Sequence, residues 1–450
     1  MPFPQSFLDE LMARSDIVDV VGSYVQLTRK GANLFGLCPF HSEKTGSFSV
    51  SPDKQIYYCF GCKRGGGVIN FIMEEENLSF PDAVRFLAKR AGMEVPEEDG
   101  DREAGRRRQR LLDLNRDAAR FYYQMLQQPE GRAVQEYLDR RKIRRATAVN
   151  FGLGASLDAW DALILAMTKK GYTKSELLEA GLAVQNRNGG LYDKFRNRLI
   201  FPVIDVRGDV VAFGGRVLDK SEPKYMNSQE TPVYSKRRVL YGLNLAKKSK
   251  RSNIILCEGN IDVVTLHQAG FDNAVASMGT ALTVEQTRLL SRFTKELVLC
   301  YDNDNAGKIA TERALEILNN SEFSVKVLQL PRRRTEDGEL VKQDADDFIK
   351  LQGKDAFEAL LTGSENGIEF RMAQVAGKYD LSSDEARVAY CEEVSALLAA
   401  LANPVEREIY TTRAAETAKI TPEAMRLEVQ RAFKRRLSRE KRQELRRDLN

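Results

Sequence analysis

Histidine is almost missing from this chain, with two in 450 residues, and cysteine is scarce, with six. Six cysteines cannot staple a chain of this length into a disulfide scaffold. Long apolar runs are missing too. The longest, Ala396 to Ala402, falls far short of the ~20 residues that a membrane-spanning helix needs, so no membrane contact is expected. The first twenty residues place Asp9, Glu10, Asp16 and Asp19 in a helical pattern, without the basic and apolar regions of a secretory signal. The expected location is the cytoplasm. Charge of one sign is lacking overall, since 69 Lys and Arg against 64 Asp and Glu leave only +5.

What is present is enough for several globular domains. A length of 450 residues suggests two to four of them, and 42% apolar with 30% charged residues excludes disorder along the whole chain. The charge is unevenly spread: residues 1–100 carry 10 basic against 14 acidic groups, whereas residues 186–251 carry 15 against 6, a local net of +9. A basic surface is therefore concentrated in mid-chain.

An amphipathic helix is expected over Phe7 to Val21, then short strands and Gly-rich turns from Leu34 to Met73, then a helix from Phe80 to Ala91 opened by Ser79. The first domain closes near Pro96. Residues 97–110, with Glu97, Glu98 and Asp99 followed by five arginines, read as a flexible linker. Helices at 111–126 and 132–141 precede strands at 199–204 and 210–213. Strands at 253–257, 273–277, 296–300 and 324–329 then alternate with helices at 261–269, 284–292 and 307–319, which is the pattern of a parallel sheet with crossover helices. Beyond about residue 350 the pattern is helical, and Arg431 to Arg447 carries nine Lys or Arg.

Cys38-x2-His41 stands seventeen residues before Cys59-x2-Cys62, so two tight turns offer four ligands suited to tetrahedral Zn²⁺. Four protein ligands leave no open position, which makes the expected site structural. Around it Phe35, Phe40, Phe48, Tyr57, Tyr58 and Phe60 alternate with Lys30, Lys44, Lys54, Lys63 and Arg64. About half of these aromatics must be core; the rest, with the cations, suit stacking of single-stranded bases.

A second constellation is acidic. The apolar run 254–257 ends in Glu258-Gly259 before a helix holding Asp262, and 297–300 runs into Tyr301-Asp302-Asn303-Asp304. A third acidic turn is Asp344-Ala345-Asp346-Asp347. Ligands of parallel α/β sheets bind outside the carboxyl ends of the strands, so these carboxylates are expected to converge there. Oxygen donors without histidine favour Mg²⁺ or Mn²⁺, held together with phosphates.

These motifs resemble the bacterial DnaG-type primases, across about residues 1 to 430. The resemblance rests on Cys38-Pro39-Phe40-His41 with Cys59-Phe60-Gly61-Cys62, and on Glu258-Gly259 with Asp262, Asp302-x-Asp304 and Asp344-x-Asp346, which look like the acidic signature of the Toprim fold. Between them Phe213-Gly214-Gly215-Arg216, Lys224-Tyr225-Met226-Asn227-Ser228 and Tyr234-Ser235-Lys236 are similar to the family's basic groove motifs. The implied fold is multidomain α+β and α/β: a zinc-ribbon-like domain (1–96), a linker (97–110), a basic α+β subdomain (111–250), a Toprim-type parallel sheet with flanking helices (251–350), a helical subdomain (351–430) and a basic tail (431–450).

The implied activity is synthesis of short RNA primers from ribonucleoside triphosphates on a single-stranded DNA template during chromosomal replication, a nucleotidyl transfer at the replication fork in the nucleoid. Glu258, Asp262, Asp302 and Asp304 would be catalytic. Glu258, Asp302, Asp304, Asp344 and Asp346 would hold two or more Mg²⁺ or Mn²⁺ ions, beside one structural Zn²⁺. Arg196, Arg198, Arg216, Lys224, Tyr225 and Lys236 would bind triphosphate or template backbone. A replicative helicase and a single-stranded DNA-binding protein are implied as partners. Only about twenty residues, rich in Lys and Arg, follow position 430, however, so the helicase-binding domain is expected to be absent. Two alternatives stay open: a Toprim topoisomerase or nuclease, and a non-catalytic zinc-dependent single-stranded DNA-binding protein.

Overall fold

A computed structural model describes all residues except 1–2, 42, 44–45, 77, 96–98, 220, 280, 320, 322, 335–338, 402 and 449–450, and except the side chains of 99–102, 340, 365 and 440–448. Lys44, Glu97 and Glu98 thus lie outside the described residues. The chain divides into two compact units, 1–324 with 329–362, and 325–328 with 363–450. Among the described residues no helix is long and apolar enough to cross a membrane.

The first unit opens with α1 (Gln5–Arg14) and α2 (Ile17–Gly22) where one helix was expected. The break has a local cause. The Asp16 carboxylate accepts the amides of Val18 and Asp19 at 2.8 and 3.3 Å, which caps a new helix. Five antiparallel strands follow in sequence order: β1 (Thr28–Lys30), β2 (Asn33–Gly36), β3 (Phe48–Ser51), β4 (Ile56–Cys59) and β5 (Gly65–Gly66). Along β4 the two-residue period turns Tyr57 and Cys59 inward and Ile56 and Tyr58 outward. The helices α3 (Val68–Glu75) and α4 (Phe80–Arg90) belong to the same apolar core. Phe48 stacks on Tyr57 at 5.3 Å between centroids, and Phe71 meets both edge-on. Each such fully buried aromatic contributes roughly 1.5–3 kcal/mol.

The expected linker is a helix. Residues 99–110 form the first turns of α5 (Asp99–Leu126), where Arg107 pairs with Glu179 at 2.8 Å and Arg110 with Glu176 at 2.9 Å. The arginine run is the solvated face of a helix whose Leu111, Leu114 and Ala118 are buried. There follow α6 (Arg132–Arg140), α7 (Arg145–Asn150), β6 (Gly154–Ser156), α8 (Ala162–Lys169), α9 (Lys174–Glu179) and the small hairpin of β7 (Ala183–Gln185) with β8 (Leu191–Asp193). A second antiparallel sheet joins β6 to β9 (Arg198–Ile204), β10 (Val210–Val217) and β11 (Tyr225–Asn227), in the order β11-β10-β9-β6.

The acidic motifs sit on the next layer. After β12 (Leu240–Tyr241) and α10 (Leu243–Ala246) come β13 (Asn253–Cys257), α11 (Asn260–Ala269), β14 (Ala274–Ser277), α12 (Val284–Leu290), β15 (Glu296–Cys300) and α13 (Asn305–Leu318). The strands β14, β13 and β15 are parallel and β12 is an antiparallel edge. Cys257 on β13 is level with Cys300 on β15, so Glu258 and the Asp302 turn emerge side by side. The turn is tight. A Cβ on Gly307 would stand 1.9 Å from the Asp302 carbonyl, so only glycine fits there.

β16 (Ser324–Val327) enters the second unit at Val325, and there Lys326 and Val327 pair antiparallel with Asn366 and Glu365. The first unit resumes with the hairpin β17 (Arg333–Arg334) and β18 (Leu340–Val341), and with α14 (Ala345–Thr362), which is kinked at Gly353. The second unit continues from β19 (Glu365–Asn366) into α15 (Gly367–Ala376), α16 (Asp384–Leu398), α17 (Pro404–Ala418) and α18 (Pro422–Asp448), around Tyr390, Val394, Leu398 and Ala414. The stretch expected as a basic tail is the later part of α18.

Candidate active site and zinc centre

The four zinc candidates come together. Their ligand atoms all lie within 4.8 Å of one another, with Cys38 Sγ 3.8 Å from Cys62 Sγ and Cys59 Sγ 3.7 Å from His41 Nδ1. Thiolates bound tetrahedrally at about 2.3 Å stand roughly 3.8 Å apart, so the cage fits Zn²⁺. Backbone amides of Phe40 and Cys62 donate to Cys38 Sγ and Cys59 Sγ, each at 3.4 Å. Sequence reasoning missed Glu43. Its carboxylate accepts the Cys38 and Ser47 amides at 2.8 Å each and the Ser47 hydroxyl, and its other contact is His41 Nε2 at 3.3 Å. That contact frees Nδ1 for metal and orients the ring. Burial raises the Glu43 pKa, but the Ser47 and Cys38 donors outweigh it and leave the group below its ordinary value. A glutamate two residues after a ligand histidine is the signal that could have found it.

The six aromatics divide by face. Phe48 and Tyr57 are fully buried and Phe40 packs on the same core, whereas Tyr58 and Phe60 are 38% and 57% exposed and meet edge to face at 5.1 Å. Phe35, Ser49 and Tyr58 are cross-strand partners, so two rings share one sheet face with only a serine between them, and the Lys30 ammonium stands 5.9 Å from the Phe35 centroid.

The acidic residues form a second cluster. Glu258 Oε1 accepts the Asp302 amide at 3.0 Å, and Asp304 Oδ1 caps α13 by accepting the Gly307 amide at 2.8 Å. Between the two aspartates lies Lys342, 3.1 Å from Asp302 Oδ2 and 3.0 Å from Asp304 Oδ2. Asp262 is buried on α11 and accepts the Asp346 amide at 3.1 Å. Burial, and then the neighbouring carboxylates, raise the pKa of both Glu258 and Asp262, and burial does the same for Asp344. The Asp304 carboxylate is lowered instead, by the Gly307 amide and then by Lys342. An all-oxygen donor set with a cation already lodged in it fits a divalent ion.

Asp344, Asp346 and Asp347 also bring their oxygens within 4.8 Å of one another. Asp346 differs from its neighbours. It is fully buried, with Oδ1 accepting the Thr265 hydroxyl at 2.6 Å and Oδ2 ion-paired to Arg141 and, at 2.5 Å, to Lys350. None of Lys342, Arg141, Lys350 and Thr265 stood among the sequence candidates. Lys342, two residues before Asp344, was the one with a local signal.

The basic candidates separate. Arg216 is 8% exposed, lies between the rings of Tyr137 and Tyr225 at 4.7 and 5.6 Å, and leaves its buried Nε without a partner. With Lys224, Arg140 and Arg141 it lines a cavity of about 500 Å³. Tyr225 stands beside Lys224 at 6.0 Å, and burial pushes its hydroxyl pKa up. Arg196 stacks on Trp160 at 3.7 Å and has a buried Nη1 without a partner. Lys236 is half-buried and near enough to Lys194 to help burial lower that group's pKa. Arg198 corrects the expectation of a phosphate contact: it is 6% exposed and donates to the Pro223 carbonyl at 2.9 Å, so its place in β9 turns it into the sheet.

Comparison with known proteins agrees with this geometry. Residues 3–103 match the CHC2 zinc finger family, 121–247 the N-terminal domain of the DNA primase catalytic core, and 255–349 the Toprim-like family. The DNA primase of Clostridium acetobutylicum is 41% identical over 425 residues, 94% of this chain and 69% of the relative. The zinc-binding and RNA polymerase domains of the Aquifex aeolicus primase are 31% identical, with a TM-score of 0.57 over 93% of this chain and 98% of that one. A DnaG primase catalytic domain bound to ssDNA is 32% identical, with a TM-score of 0.60 over 69% and 99%. One expectation is overturned. Residues 368–423 match the DnaB-helicase binding domain of primase, so such a domain is present; it lies within the helical second unit, before the basic stretch where its absence was inferred. With a zinc cage, a primase catalytic core and a Toprim acidic sheet in one order, the chain belongs to the bacterial DnaG-type DNA primases.

Proposed function

We propose that the chain joins ribonucleotides into short RNA primers on single-stranded DNA at the replication fork by nucleotidyl transfer, with Glu258, Asp302, Asp304 and Asp344 holding the divalent ions and Asp346 as the inner member of the same set. The observation that carries this reading is Arg141, which lines the basic cavity and also pairs with Asp346, so that a cation-rich pocket of triphosphate size adjoins the carboxylates. Glu258, Asp302, Asp304 and Asp344 would hold a divalent ion there, and it would supply Lewis-acid activation for the primer 3′-hydroxyl and positive charge for the leaving pyrophosphate. Arg216 and Lys224 grip the triphosphate, and the unpartnered Arg216 Nε is a donor waiting for a phosphate oxygen. Asp262 orients the α14 terminus through the Asp346 amide, and Glu258 fixes the Asp302 turn through its amide. Arg196 and Lys236 contact the template backbone.

In the same reading residues 1–96 select the template, with Tyr58 and Phe60 stacking on its bases while Cys38, His41, Cys59 and Cys62 hold zinc; residues 111–250 and 251–350 form the basic and catalytic subdomains, and the helical 351–430 receives the helicase. The test is incorporation of labelled ribonucleotides on single-stranded DNA with Mg²⁺ or Mn²⁺. Short RNA from the wild type and none from Asp302→Ala is the expected result. Nicking or relaxation of DNA without incorporation would overturn it in favour of a strand-breaking enzyme.

A further inference from the structure

Lys342 occupies the place where the acidic centre needs a cation. Its ammonium bridges Oδ2 of Asp302 and Oδ2 of Asp304, while two backbone donors among the described residues are committed, the Gly307 amide to Asp304 Oδ1 and the Asp302 amide to Glu258. Arg141 and Lys350 are held by Asp346. The lysine is well placed to leave. Its side chain is 58% exposed, it follows the short β18 strand, and its flexible stem can carry the charge away from the carboxylates without moving the sheet.

We propose that Lys342 is a resident counter-ion, which a divalent cation displaces on entering and which then transfers to the triphosphate of the incoming nucleotide. This rests on the reading of the carboxylates as a divalent-metal centre. Two aspartates facing one point repel each other unless a cation lies between them, and the ammonium supplies that charge before metal arrives. A dication brings twice the charge to the same oxygens, but must first break the lysine pair. The triphosphate lowers that cost by offering the freed ammonium a new anion. Metal and nucleotide therefore bind with positive coupling, each strengthening the other through one side chain.

The experiment is a Mn²⁺ titration of the zinc-loaded full chain in chelator-free buffer, with free Mn²⁺ read by electron paramagnetic resonance, first without nucleotide. Lys342→Met is expected to bind Mn²⁺ about fivefold more tightly than wild type, on the scale of a partly exposed ion pair, whereas Lys342→Arg stays near wild type. With saturating Mn²⁺, a non-hydrolysable ribonucleoside triphosphate analogue is expected to bind Lys342→Met several-fold more weakly than wild type. Equal or weaker Mn²⁺ binding by Lys342→Met, or unchanged nucleotide affinity, overturns the proposal. Undiminished Mn²⁺ binding by an Asp302→Asn/Asp304→Asn double variant would instead overturn the metal-centre reading beneath it.

Discussion

Replacing Asp346 by asparagine keeps the side chain's volume and an oxygen for the Thr265 hydroxyl, but turns an amide toward Arg141 and Lys350, which can only donate. Truncating one partner of a fully buried pair costs about 3–5 kcal/mol. Here the carboxylate is fully buried while the Arg141 and Lys350 side chains are 27% and 18% exposed, and Arg141 keeps Asp347 at 3.5 Å. Water can reach the orphaned cations, which lowers the expectation to about 2–3 kcal/mol. Urea unfolding of the zinc-loaded chain, followed by the fluorescence of its one tryptophan, Trp160, measures this loss in the first unit. A double-mutant cycle with Arg141→Met isolates the pair, and a coupling of about 1–2 kcal/mol is expected. A loss under about 0.5 kcal/mol for Asp346→Asn, or additivity of the two substitutions, would refute the claim that this pair organises the acidic centre.

Cys59→Ser is expected to release zinc and unfold the first domain, because metal binding and folding are linked; full zinc by atomic absorption in the purified variant would contradict the cage. Glu43→Gln should weaken zinc binding by about tenfold or more, the usual cost of losing the carboxylate behind a ligand histidine, read by competition with a chromogenic chelator. Tyr58→Ala with Phe60→Ala should weaken binding of single-stranded oligonucleotides to the full chain and slow primer initiation more than extension of a preformed primer, and equal effects on both steps would remove these rings from template selection. Asp193 accepts the Leu163 and Ile164 amides, yet burial pushes its pKa up to about 6. The folded chain then holds a proton that the unfolded chain releases near pH 4, so the group's contribution is full below about pH 4 and lost as pH rises to about 6. Asp193→Asn should flatten that part of the stability profile measured in urea.

The sequence was most informative where chemistry and chain order coincide. Two x2 spacings announce the zinc cage because each turn presents its own pair, and the alternation of apolar strands with helices gave β13 and β15 at their observed ends. It was least informative where a partner comes from far along the chain. Arg141 meets Asp346 across 205 positions, and Lys342 meets Asp302 across 40, distances over which neither composition nor periodicity carries a signal. The linker expected at 97–110 failed for a related reason. A run of arginines looks solvated whether or not it is helical, and what decides is the pairing of Arg107 and Arg110 with Glu179 and Glu176. The break at Ser15–Asp16 was local and could have been read, since an aspartate two and three residues before free amides is a helix start.

The two ways in which this site neutralises its acids explain why carboxylates so close in sequence should not be treated alike. Asp346 is withdrawn from solvent and held by Arg141, Lys350 and Thr265, so any ion seeking its oxygens must break two charged contacts inside the protein. Asp302 and Asp304 are 23% and 33% exposed and share one lysine that is itself mostly in water. Exchange of a cation is costly at the first position and cheap at the second. On the proposed reading, a centre that takes up and releases ions with each nucleotide keeps its exchangeable oxygens at the rim, and their geometry stays fixed only if something behind them does not exchange. Asp346 serves that second need: its amide is bonded to Asp262 on α11 and its carboxylate to Arg141 just beyond α6, which joins the catalytic sheet to the wall of the basic cavity.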